Sequence, residues 1–296
     1  MAVRTPELTD TVRDPARMPS VFELNLPAPS ARSLLLTVIG EMMYAPPEAA
    51  WTTALLHVLG GLGVEEHAAR QVLARAADAG WVVRERDGRA VKWRLAEKGR
   101  ALVTDGIHRS DAYLAGPPDW DGRWLLLFVT VPGEQRTTRK RLYGGLSWLG
   151  LGNPVPGVWL TPHTERGAEL SELVESLGLR SSALSVVGTV HDAGLGGDEI
   201  AGKAWDLTDL EAHYKTLLDQ LDSLPEPRGG DETLFAYLEL LNVQQRFMRR
   251  DPYLPEELMP KWIGRDGAAR IRACRERWGG PAHARWRELV RDCAPR

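Results

Sequence analysis

Apolar residues early in the chain recur at helical spacing, with Leu34, Leu35, Val38, Ile39 and Met42 on one face. Pro46 and Pro47 are expected to end that helix, because proline supplies no amide donor and restricts its predecessor. Thr52 or Thr53 can cap a second short helix carrying Leu55, Leu56 and Leu59, with Gly60, Gly61 and Gly63 forming the next turn. A third helix is predicted over 65–79, stopped by Gly80, with Val64, Ala68, Val72, Leu73 and Ala76 inward. The period then becomes strand-like. Asp87-Gly88 lies between two β-prone runs, and a type I′ turn there pairs Arg86 with Arg89, Arg84 with Val91 and Val82 with Trp93. Three helices followed by a hairpin predict a winged helix-turn-helix over 30–117.

Farther along, the pattern alternates: strand 124–131, helix 135–149, strand 155–161, helix 167–177, strand 183–191. That order predicts a ferredoxin-like middle domain over 118–193, with one short strand hidden in it. Glycines mark a flexible linker at 194–206. Beyond it, helices are expected at 207–224, 231–250, 268–277 and 282–293, forming a helical C-terminal domain over 207–296 for dimerisation or effector binding. The predicted fold class is therefore α+β multidomain. Residues 1–29 contain five prolines and no continuous apolar stretch, and read as a flexible N-terminal extension rather than a secretory leader. No apolar run approaches the ~18–20 residues needed to cross a bilayer, so no membrane partner is expected.

Charge narrows the picture. The 37 Lys plus Arg against 40 Asp plus Glu give a net charge of −3, which excludes a protein that coats nucleic acid by bulk charge. Cations matter only where they gather, and they gather on the hairpin. Arg84, Arg86, Arg89, Lys92, Arg94, Lys98 and Arg100 face only Glu85, Asp87 and Glu97 over that stretch. On the third helix, His67, Arg70, Gln71 and Arg75 form the stripe opposite the core. Arginine and glutamine there can reach guanine and adenine edges in a major groove, while hairpin arginines suit phosphates. The candidate DNA-binding residues are these four with Thr52, Thr53, Arg84, Arg86, Arg89 and Lys92. Double-stranded operator DNA is the expected partner, and two half-sites would call for a homodimer.

Enzyme motifs fall short. Gly197 to Lys203 fits a phosphate-binding loop, but Ala204 stands where magnesium needs a hydroxyl. Ser147 lacks the second glycine of a nucleophile elbow. The seven histidines show no metal-binding spacing, and Cys274 and Cys293 suggest reduced thiols of a cytoplasmic protein. No catalytic constellation, metal site or cofactor is expected.

The chain resembles the phenylacetic acid degradation repressor family, the PaaX-like transcriptional regulators, from about Ala31 to Val290. Three places carry the resemblance. One is Arg32-Ser33-Leu34-Leu35-Leu36 with Gly80-Trp81 and the hairpin. Another is Trp120-Asp121-Gly122-Arg123-Trp124, followed by Leu149-Gly150-Leu151-Gly152 and the run from Pro156 to Pro162. The third is Arg246 and Asp251-Pro252-Tyr253-Leu254-Pro255 with Trp262. The resemblance implies a dimeric repressor of an aromatic-compound catabolic operon, released from a palindromic operator by a coenzyme A thioester such as phenylacetyl-CoA. Toward that acyl-CoA effector it suggests Trp120, Arg123, Trp124, Trp159, Arg246, Arg249, Arg250 and Trp262. The middle domain is also similar to the small CRISPR adaptation nucleases, but its first strand ends Val129-Thr130-Val131-Pro132, without their metal-binding aspartate. A metal-dependent nuclease and a ligand-independent regulator switched by a protein partner are the alternatives. Trp93 stands where the family pattern leads one to expect tyrosine.

Overall fold

The computed structural model describes residues 20–45, 49–117, 119–191 and 193–295. Helix α1 (Ala31–Met42) starts where the Ser30 hydroxyl accepts the Ser33 amide, and it buries Leu34, Leu35, Val38, Ile39 and Met42. The expected stop at Pro46 and Pro47 lies outside the described residues. A two-residue strand β1 (Ala50–Trp51) leads into α2 (Thr52–Gly61), whose N-cap is Trp51 and not a threonine. The Thr52 hydroxyl is engaged elsewhere. It donates to the Val91 carbonyl at 3.2 Å and accepts from Trp93 Nε1 at 2.8 Å.

Helix α3 (Glu66–Asp78) buries Ala69, Val72, Leu73 and Ala76, so Ala69 takes the fully buried place expected for Ala68. Strands β2 (Val82–Asp87) and β3 (Ala90–Leu95) follow, in a sheet of order β1-β3-β2. The register differs from expectation. Asp87 faces Ala90, Arg86 faces Val91, Arg84 faces Trp93 and Val82 faces Leu95, so the turn is centred on Gly88-Arg89. Gly88 carries the positive φ (60°) and Arg89 does not, which fits a II′ turn with glycine first and excludes type I′. The two-residue slip keeps every side chain on its predicted face.

Helix α4 (Glu97–Ala115) packs so closely on the residue that leads into β2 that a Cβ on Gly99 would lie 2.0 Å from the Trp81 carbonyl oxygen.

The middle stretch forms a four-stranded antiparallel sheet of order β5-β6-β4-β7, from β4 (Trp124–Val129), β5 (Gly152–Val155), β6 (Val158–Thr161) and β7 (Ala183–Gly188). Helices α5 (Arg136–Trp148) and α6 (Gly167–Ser176) cover the face carrying Leu125, Leu127 and Val129. On the opposite face Trp124 and Leu160 meet Ile200 and Leu258. Ile200 belongs to α7 (Gly197–Ala204), a packed helix where a flexible linker was expected. Burial of one isoleucine and the close approach of Gly152 to Ala204 and Trp205 fix that segment.

The remainder is helical: α8 (Thr208–Ser223), α9 (Gly230–Met248) and α10 (Ile263–Asp292). Two helices were expected where α10 is continuous. Gly279, Gly280 and Pro281 do not break it, because Trp278, Ala282 and Trp286 on either side are all buried. One apolar cluster embraces α1–α4 and α8–α10. A close joint between α2 and α9 is Gly61 against Phe235, where an added Cβ would lie 2.2 Å from the ring. The predicted N-terminal extension lies outside the described residues up to position 19. From residue 20 it is strapped down: Phe22 is buried, the Val21 amide donates to Glu239 Oε2 at 2.6 Å, and Gln220 exchanges hydrogen bonds with the Glu23 backbone.

Candidate nucleic-acid interface

The outward stripe of α3 is as the periodicity predicts, with His67, Arg70, Gln71 and Arg75 all exposed. Two of its polar heads are pre-positioned. Arg70 donates to Glu66 Oε1 at 2.9 and 2.7 Å, and Gln71 Nε2 lies 2.8 Å from His67 Nε2. An exposed pair of this kind is worth about 0–1 kcal/mol, so Arg70 can exchange Glu66 for a base edge or a phosphate.

On the hairpin the cations divide by face and partner. Lys92 is committed to Asp87 at 3.2 Å and lies 4.4 Å over the Trp51 ring. Arg94 is paired with Glu85 at 3.0 Å. Arg84, Arg86 and Arg89 are exposed and, among the described residues, make no ion pair or side-chain hydrogen bond, and the same holds for Arg75. Three uncommitted guanidinium groups on the hairpin thus join Arg75 of the α3 stripe, a charge pattern with nothing among the described residues to satisfy it. Thr53 is exposed at the start of α2, while the tie from Thr52 to Val91 and Trp93 fixes the hairpin against that helix.

The residues suggested for an effector are not gathered into one site. Strand parity puts Trp124 and Trp159 on opposite faces of the middle sheet. Trp124 meets Trp120 edge-on and stacks with Trp205, and Trp159 packs on Tyr143. Arg123 is held by Asp121 at 2.7 Å. Trp262 is buried and donates Nε1 to Asp251 at 2.8 Å. Arg250 is exposed, and Arg246 leaves a buried Nη2 without a partner among the described residues. Arg249 alone of this set lines a cavity with apolar walls.

Asp251 is the hub of a buried polar cluster rather than an ion-pair partner for Arg246 or Arg249. It accepts from Tyr214 Oη at 2.9 Å, Trp262 Nε1 and the Tyr253 amide at 2.9 Å, and Tyr214 in turn touches Tyr113 Oη at 2.9 Å. Burial raises the Asp251 carboxyl above the usual carboxylate range and pushes both tyrosines up as well. A cavity of about 340 Å³ opens beside this cluster, with Glu256, Glu257, Arg265 and Arg272 at its rim.

A second polar cluster joins α1 to α9 and α10. Glu41 receives hydrogen bonds from Tyr237 and His283 and lies 3.6 Å from Arg275. Burial works to raise its pKa, but these three partners outweigh burial and hold the carboxyl below its ordinary value. Among the described residues no three His, Cys, Asp or Glu side chains come together as a metal site, and no helix is long and apolar enough to cross a membrane.

Three family models match successive stretches of the chain. Residues 30–99 match the family description PaaX-like protein, residues 117–198 the PaaX protein central Cas2-like domain, and residues 205–288 the PaaX-like protein C-terminal domain. The chain is 27% identical over 246 residues to the transcriptional repressor PaaX of Escherichia coli (strain K12), covering 79% of this chain and 76% of that protein. A solved structure, the uncharacterized protein Rv0674 from Mycobacterium tuberculosis, is similar with a TM-score of 0.57 at 22% identity. It covers 88% of this chain and 98% of that one, a likeness of fold.

Proposed function

Because the chain belongs to the PaaX-like family, we propose that it is a DNA-binding transcriptional repressor without enzymatic activity of its own. The observation that carries this reading is the exposed α3 stripe of His67, Arg70, Gln71 and Arg75 beside the unpaired Arg84, Arg86 and Arg89. We read residues 30–117 as a winged helix-turn-helix with α3 as recognition helix and β2–β3 as wing. We read 118–193 as a ferredoxin-like domain and the helical remainder as the part that holds two copies together. In this reading α3 enters the major groove, Arg70 and Gln71 meet base edges, and the wing arginines and Thr53 lie on phosphates. A homodimer places two such units on a palindromic operator in the cytoplasm. The regulated genes serve the breakdown of an aromatic compound, and an aryl or acyl thioester of coenzyme A, phenylacetyl-CoA among them, releases the repressor.

The test is selection of bound fragments from random duplex DNA, followed by mobility-shift titration and light scattering of the complex. The expected result is a palindromic site bound by a dimer, with affinity falling steeply as salt rises. Selection of no consensus, or a monomer on and off DNA, would overturn it.

A further inference from the structure

A cavity of about 230 Å³ lies where the three stretches of the chain meet. Its apolar wall is built from Leu36 of α1, Leu102 and Ile107 of α4, Leu241 and Met248 of α9 and Trp148 at the end of α5, while Glu41, Asp105 and Asp111 also line it and Glu41 and Asp105 are engaged by Arg275 and Arg109. Leu102 and Trp148 stand about two-fifths exposed at the mouth, which is unusual for residues with so much core close by. Gly106 sits in the middle of α4 on the same rim, where glycine costs a helix about 1 kcal/mol relative to alanine. No close neighbour requires it, since a Cβ there would meet nothing within 4 Å. Its effect is to leave the mouth open. Arg249 completes the rim. Its guanidinium lies 5.5 Å over the Trp148 ring and makes no ion pair among the described residues, whereas Arg109 and Arg275 beside it are engaged by Glu169 and by Ser110, Gln244 and Glu41.

We propose that this junction cavity is a ligand site that takes the aryl or short acyl group of an anionic amphiphile, with Arg249 meeting its charge. The volume suits a single ring or short chain and leaves the rest of the ligand outside. The larger cavity beside Asp251 is the wrong match. Its two arginines are already spent on the carbonyls of Leu254, Met259 and Leu114, so no uncommitted cation there matches Arg249. A ligand at the junction touches α1 and α4 on one side and α5 and α9 on the other. It therefore acts on the angle between the DNA-reading helices and the rest of the molecule. The consequence for DNA release rests on the repressor reading above; the site itself does not.

The experiment is isothermal titration of the full chain with phenylacetyl-CoA, octanoyl-CoA, phenylacetate and free coenzyme A. Alongside it, mobility shifts follow release from the selected operator. The wild type should bind at least one of the two thioesters at least about tenfold more tightly than free coenzyme A. Gly106→Trp should plug the mouth and lower that affinity about tenfold or more, and Arg249→Glu should lower it about fivefold or more, both with wild-type melting temperature and operator affinity. If Gly106→Trp melts early, Arg249→Glu alone decides. The site is overturned if no probe binds the wild type, or if the folded variants bind as the wild type does. Thioester release of wild type and variants alike from DNA would overturn the site and leave the repressor reading intact. Blocked binding in the variants, with no release of the wild type, would keep the site and overturn release by a ligand.

Discussion

Arginine does opposite work in two regions of this molecule. On α3 and the β2–β3 hairpin, Arg75, Arg84, Arg86 and Arg89 stand in solvent with no partner among the described residues. Around α9 and α10, arginines are tied to the backbone and to buried polar groups. Arg265 donates to the Leu254 and Met259 carbonyls, Arg272 to that of Leu114, and Arg275 to Ser110 and Gln244. A planar guanidinium with five fixed donors serves either purpose. Arg84, Arg86 and Arg89 keep their donors for something outside the chain, whereas Arg265, Arg272 and Arg275 have spent theirs holding elements together. Substitutions in the two regions should therefore fail in different assays.

The largest effect belongs to the buried cluster. Asp251→Ala strands the donors of Tyr214, Trp262 and Tyr253, each costing about 1–3 kcal/mol when left unpaired, so urea unfolding should show a loss of about 3 kcal/mol or more. The pH dependence has a definite sign. Because burial raises the Asp251 carboxyl in the folded chain, the fold binds this proton more tightly than the unfolded chain does. Stability linked to it is greatest below the ordinary carboxylate value of about 4 and falls as pH rises through the raised value. Asp251→Asn should remove that slope. Glu41, held low, works the other way: its contribution is present above the ordinary range and is lost as pH falls. Glu41→Gln should make the protein less sensitive to acid, read by melting temperature between pH 3 and 6, windows chosen from about 4.3 for free glutamate.

Next in size is the joint between α2 and α9. Gly61→Leu drives a side chain into Phe235 and should cost about 1–3 kcal/mol by overpacking, with operator affinity falling in step because both parts share one core. A protein that loses stability yet reads its operator unchanged would show that the DNA-reading helices do not depend on the C-terminal helices.

The exposed region should respond in DNA binding alone. Arg70→Ala or Gln71→Ala should alter sequence preference by roughly 1–3 kcal/mol at one base position. Arg86→Ala with Arg89→Ala should weaken binding to every sequence and reduce the salt slope by about one unit per lost phosphate contact. Stability should stay within about 0.5 kcal/mol for all of these. A melting shift comparable to that of Gly61→Leu would make the hairpin arginines structural and dissolve the contrast.

Sequence patterning alone determined the elements whose signal is local. The apolar faces of α1 and α3, the polar stripe of α3, the basic hairpin, and the alternation of strands and helices from Trp124 onward are all written in periodicity, and the structure contains them. Three features depended on contacts distant along the chain. The hairpin turn lies at Gly88-Arg89, with Val82 opposite Leu95 and β3 held by β1 and by the bond from Trp93 to Thr52, so the Asp87-Gly88 signal was overridden by contacts outside the hairpin. Helix α10 runs through Gly279-Gly280-Pro281 because burying Trp278 and Trp286 in the shared core outweighs the missing amide of one proline. The junction cavity was illegible altogether. Its walls come from positions 36 to 275, each unremarkable in its own helix, and only packing α1, α4, α5, α9 and α10 around one point makes them a single surface. Arg249 was singled out from the sequence with neighbours that point elsewhere. Local spacing predicts which face a side chain takes, while tertiary packing decides what that face meets.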